Sequence, residues 1–94
     1  MKSIIQENKE CWFCKTQSGL HLHHIYFGTA NRKISDENGF VVYLCEFHHN
    51  LGDYGVHGKY GSKHNMELKR ACQKEYEKTH TRDEFIKLIG KNYL

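Results

Sequence analysis

Two strand-like segments ahead of a series of helix signals predict a small α+β domain, and cysteine and histidine pairs at ligand spacing predict a zinc ion as its staple. The chain has 94 residues, enough for one domain with a modest core, and domains of that size often need a metal or disulfide to stay folded. With 38% hydrophobic and 27% charged residues, it has the apolar material to fold and too mixed a charge for a disordered tail.

The elements follow in order. Cys11-Trp12-Phe13-Cys14 forms a tight turn. Leu20 to Tyr26 alternates in character and ends in β-branched and aromatic residues, which predicts a first strand, and Phe40 to Leu44 predicts a second, more buried one. Gly28 to Gly39 reads as a polar connecting loop holding Asn31, Arg32, Lys33 and Asn38. A short helix is expected after Cys45, broken at Gly52-Asp53-Tyr54-Gly55. One helix then runs from about Asn65 to Lys78, and Thr81-Arg82-Asp83-Glu84 announces another as a capping box ahead of Phe85, Leu88 and Ile89. Without repeats, low-complexity runs or prolines, residues 1–94 read as a single domain, with a two-strand-and-helix core over about 11–57 and supporting helices over about 65–94.

The start of the chain lacks the apolar stretch of a signal peptide and no apolar run exceeds Phe40 to Leu44, so a cytoplasmic protein without a membrane partner is expected. In a reducing compartment the four cysteines are poor disulfide candidates. Cys72 shares a helical face with Leu68, Ala71 and Tyr76 and reads as a small core hydrophobe. Cys11, Cys14, Cys45 and His48 supply two half-sites for one tetrahedral structural zinc, with the adjacent His49 left as an alternative fourth ligand. A redox role for Cys11 and Cys14 would require a βαβ setting that the pattern lacks.

His21, His23, His24, His49 and His57 remain around the same core, whereas His64 and His80 read as ordinary surface histidines. A structural zinc is saturated by four ligands, so surplus imidazoles point to a second, open metal site. Charge is unevenly spread: residues 1–58 carry five Lys/Arg against six Asp/Glu, and residues 59–94 carry nine against five. Such a bias suits a polyanion, with Arg32, Lys33, Lys59 and Lys63 as candidate phosphate contacts and Lys69, Arg70 and Lys74 along a helix face.

Cys11-x-x-Cys14, His23-His24-Ile25 on a strand, and Leu44-Cys45-x-x-His48-His49 together resemble the zinc-bearing branch of the HNH, or ββα-metal, endonucleases, in particular small phage and prophage proteins. The resemblance spans residues 11 to about 57 and implies a treble-clef-like ββα-metal core. It further implies that His24 is the general base, that His23, His49 and His57 hold a catalytic divalent metal (magnesium, manganese, nickel or zinc), and that the reaction cuts DNA to leave 5′-phosphate and 3′-hydroxyl ends. In the usual pattern an asparagine orients the base. Here Asn38 stands two positions early for that role and Asn31 competes for it. On a regular strand His23 and His24 point to opposite faces, so one site uses both only at a strand end or kink.

The rival readings are a zinc module that binds nucleic acid or protein without cutting, and a metal-handling protein. The histidine surplus opposes the first and the basic C-terminal segment opposes the second. A protein partner or a second copy of the chain is left open.

Overall fold

The computed structural model describes residues 3–49 and 61–94. Among them the chain forms a two-stranded antiparallel sheet and four helices, in the order β1 (Leu20–His24), α1 (Thr29–Asn38), β2 (Val41–Cys45), α2 (Glu46–His49), α3 (Gly61–Tyr76) and α4 (Arg82–Ile89). The expected glycine break after α2, with His57 and Lys59, lies outside the described residues. No helix among the described residues is long and apolar enough to cross a membrane.

Both predicted strands form, β1 ending two residues early at His24 and β2 displaced by one residue to take in Cys45. Their register runs from Leu20 opposite Cys45 to His24 opposite Val41. Alternation then sorts the side chains: His21 and His23 share a face with Val42 and Leu44, and Leu20, Leu22 and His24 share the other with Val41, Tyr43 and Cys45.

The segment between the strands corrects the sequence reading. The expected loop over Gly28 to Gly39 is a ten-residue helix, α1. Its two glycines are helix boundaries: Gly39 takes a left-handed conformation (φ 74°) and donates its N–H to the Ser35 carbonyl, closing the last turn. The segment lacks a broad apolar stripe because a buried serine does much of the anchoring. Ser35 Oγ donates to the Tyr26 carbonyl at 2.7 Å and accepts from the Tyr26 N–H at 3.2 Å, while the Phe40 N–H donates to the Ser35 carbonyl at 2.9 Å.

The core lies where the sheet meets α3 and α4. Ile25, Phe40, Val42, Leu44, Leu68, Cys72 and Phe85 are fully buried, and Tyr26 meets Phe40 and Phe85 edge-on at centroid distances of 5.5 and 5.4 Å. Burial leaves the Tyr26 hydroxyl needing a partner, which it finds by donating to the Lys69 carbonyl at 2.7 Å. Cys72 is the core residue that its helical neighbours predict. α3 begins four residues earlier and ends two earlier than expected. The predicted capping box starts α4: the Glu84 N–H donates to Thr81 Oγ1 (3.1 Å) and the Thr81 N–H to Glu84 Oε1 (2.9 Å). The fully buried Gln73 holds the C-terminal tail, accepting from the Tyr93 N–H (2.8 Å) and donating to Asn92 Oδ1 (2.7 Å).

Candidate metal centre and histidine cluster

Local geometry presents the Cys-x-x-Cys turn to the sheet. The Cys11 N–H donates to the Thr16 carbonyl at 2.8 Å, the Lys15 N–H to the Cys11 carbonyl at 2.9 Å, and Lys15 itself turns the chain with φ 65°. The Trp12 N–H donates to the Tyr43 carbonyl at 3.0 Å, docking the turn on β2, the strand that ends in Cys45. α2 begins immediately after Cys45 and carries His48 back over the same point.

Four ligand atoms from Cys11, Cys14, Cys45 and His48 consequently lie within 4.8 Å of one another. Cys14 Sγ is 3.7 Å from Cys45 Sγ, and His48 Nδ1 is 3.6 Å from Cys11 Sγ and 3.2 Å from Cys45 Sγ. Zinc bonds of about 2.3 Å to sulfur and about 2.0–2.1 Å to nitrogen give tetrahedral edges of about 3.8 Å (S to S) and about 3.6 Å (S to N). The donor set and its spacing can therefore hold a structural metal ion such as zinc, with His48 in the fourth position.

The electrostatics are mixed but mostly favour ligation. Burial opposes the Cys11 thiolate, yet the backbone N–H groups of Cys14, Cys45 and Phe13 outweigh it and bring that thiol below its ordinary range. Burial pushes the Cys45 thiol up. Burial, then the charge of nearby His64, lowers His48, which keeps its imidazole neutral and available as a ligand. The Phe13 ring packs on His48 at 5.3 Å and on His64 at 4.6 Å, so His64 belongs to the wall of this centre. His80 is an exposed residue stacked on Tyr76 at 4.1 Å.

A second cluster sits beside the first. His21 and His23, two residues apart on β1, face His49 at the end of α2. His21 Nδ1 lies 3.3 Å from His49 Nδ1, and the His21 and His23 rings stand 5.2 and 5.3 Å from the His49 ring. His23 is 3% exposed, while the His21 side chain is 37% exposed, with Glu46 Oε1 at 3.9 Å from its Nε2. The cluster thus joins a buried floor to an open mouth.

His24 stands apart from these three. It is the last residue of a regular strand, on the face opposite His23, and its Nε2 lies 3.3 Å from Asp36 Oδ1 on α1. The asparagines expected to orient it are engaged elsewhere. Asn38 donates to the Ile34 carbonyl at 2.8 Å within its own helix, and Asn31 donates to the Ile89 carbonyl at 3.3 Å, tying α1 to α4. Both assignments presumed a loop; with that segment folded as a helix, the amide nitrogen of each asparagine donates to a backbone carbonyl. Arg32 and Lys33 are exposed on α1 and Lys63 is exposed in the first turn of α3, whereas Lys59 and His57 are outside the described residues.

Of the residues at these two sites, only Asp36 emerges from the fold alone. His21 was legible in principle, since period two places it on the face of His23. Asp36 was not, because its approach to His24 depends on α1. Compared with known proteins, the chain matches no family model, no curated protein and no solved structure.

Proposed function

We propose that this protein is a metal-dependent endonuclease of the ββα-metal type, hydrolysing DNA phosphodiester bonds beside a structural Cys3His zinc. The observation that carries this reading is the convergence of His21, His23 and His49 next to a ligand set already sufficient for a structural ion. The 3.3 Å separation of the His21 and His49 nitrogens suits two ligands of one cation, and imidazole donors suit manganese, nickel or zinc, with magnesium a further candidate. Such a cation would supply charge stabilisation for the phosphoryl oxygens and the leaving 3′ oxygen.

The chain's own residues do the remainder. His23 anchors the cluster from its buried position, and His21 opens it to solvent. His24 serves as general base: with the Nε2 proton directed to Asp36, the lone pair stands on Nδ1, ready to take a proton from the attacking water. Since His23 and His24 flank the strand, the scissile phosphate must lie across the end of β1 and not on either face.

That same alternation favours a second reading, a zinc module that binds nucleic acid without cutting it, because His24 is held away from the histidine cluster. A supercoiled-plasmid nicking assay separates the two. Zinc-loaded protein is tested alone and with magnesium, manganese or nickel, beside His24→Ala, His21→Ala and Asp36→Asn. The nuclease reading expects divalent-dependent nicking, lost in folded His24→Ala and His21→Ala and reduced in Asp36→Asn. Absence of cleavage with every metal, on plasmid, single-stranded and branched DNA alike, leaves the binding module.

A further inference from the structure

The histidine cluster continues into an aromatic and basic surface. Phe27, just beyond β1, is 45% exposed, and its ring centroid lies 6.1 Å from that of His23. Lys69 Nζ sits 4.7 Å from the Phe27 ring centroid and 5.2 Å from that of Tyr93, and Lys91 Nζ lies 5.3 Å from the Tyr93 centroid. The support beneath is tied to the core: Tyr93 packs against the buried Tyr26 ring at 5.6 Å, and Arg70 Nε donates to the Tyr93 carbonyl at 3.1 Å.

Two ammonium groups therefore share one ring, and among the described residues no carboxylate pairs with either. Burial, and to a lesser extent the charge of Lys91, pulls the Lys69 ammonium below its usual range. An anion placed between them relieves their repulsion. An exposed aromatic ring beside paired cations is the arrangement that binds a single strand, one group stacking a base and the others holding phosphates. A base inside a duplex is already stacked on its neighbours and offers no face to Phe27.

We propose that Phe27, Lys69, Lys91 and Tyr93 form a platform for single-stranded DNA leading to the histidine cluster, with a base stacked on Phe27 and the adjacent phosphates on Lys69 and Lys91. This deepens the nuclease reading by naming the substrate class, and it rests on that reading only for what happens after binding.

The test is fluorescence anisotropy of a labelled oligothymidylate and of a mixed-sequence duplex of equal length, titrated with the zinc-loaded full chain without other divalent ions. The single strand is expected to bind about tenfold more tightly. Phe27→Ala weakens that binding about tenfold, within the range for one base stacked on an aromatic side chain, and leaves the duplex unaffected. Lys91→Ala lowers the slope of log affinity against log salt by about 0.7, the loss of one single-strand phosphate contact. Both positions are exposed, and an unchanged thermal melt verifies each variant's fold. Equal affinity for the two DNAs, or no effect of Phe27→Ala in a folded protein, overturns the platform even if plasmid nicking is found. Single-strand binding that responds to both variants upholds it even if nothing is cut, in which case only the nuclease reading fails.

Discussion

Replacing Cys14 by serine isolates the contribution of the metal from that of packing. Cys14 is exposed, unlike its partners Cys11 and Cys45, so its substitution removes one donor of the candidate metal centre and very little buried apolar surface. Structural zinc contributes about 10–16 kcal/mol of apparent binding free energy in small zinc-folded peptides, or about 3 kcal/mol for each of four ligands. At about 1.4 kcal/mol per decade, zinc affinity should fall roughly 150-fold. With zinc in excess, the folded state loses the same ~3 kcal/mol. An unfolding entropy of about 2.1 cal/mol/K per residue over 94 residues gives roughly 0.2 kcal/mol/K, so the melting temperature should drop by about 15 °C. Competition with a coloured zinc chelator measures the affinity, and circular dichroism melts with and without chelator measure the stability. A Cys14→Ser protein that keeps zinc as tightly as the parent and melts at the same temperature would refute the assignment, as would a parent whose melt ignores the chelator.

Two further predictions concern the helical half of the molecule. Burial pushes the Cys72 thiol up to about 12, so in the folded chain it keeps its proton where the unfolded chain, near 9.0, has lost it. Stability from this group is fully present below pH 9 and falls as pH rises towards 12, by about 1.4 kcal/mol per pH unit. Urea titrations between pH 8 and 11 should show that decline and show it reduced in Cys72→Ala, and at pH 8 a thiol reagent should reach Cys72 only after unfolding. Thr81→Ala removes the side-chain half of the capping box and should cost about 1 kcal/mol. That corresponds to a drop of roughly 5 °C in the melting temperature, and a change below about 1 °C would mean the box contributes little.

The parts of this protein written in local chemistry were legible in the chain. Cys11-x-x-Cys14 and Cys45-x-x-His48 announce their ligand geometry by spacing, because a tight turn and a single helical turn each bring such residues side by side. The first strand follows from side-chain alternation, the second from a short apolar run rich in β-branched and aromatic residues, and the last helix from a capping box whose partners are three residues apart. Cys72 likewise follows from its helical neighbours.

What only the tertiary structure decided depends on residues distant in the chain. α1 looks like a loop in sequence because its anchoring comes from Ser35 bonded to the backbone of Tyr26, nine residues away, and not from an apolar stripe of its own. Once that helix forms, Asp36 comes to His24, and the amide nitrogens of Asn31 and Asn38 donate to backbone carbonyls. That His48 and not His49 joins the three cysteines is likewise decided by the turn of α2, which swings one imidazole to the cysteines and the other to His21 and His23. The joining of Phe27 to Lys69, Lys91 and Tyr93 also requires the C-terminal tail to fold back over α3, and the buried amide of Gln73 secures that return. Spacing along a chain governs neighbours within a turn or strand, while meetings between separate elements depend on how their buried faces pack.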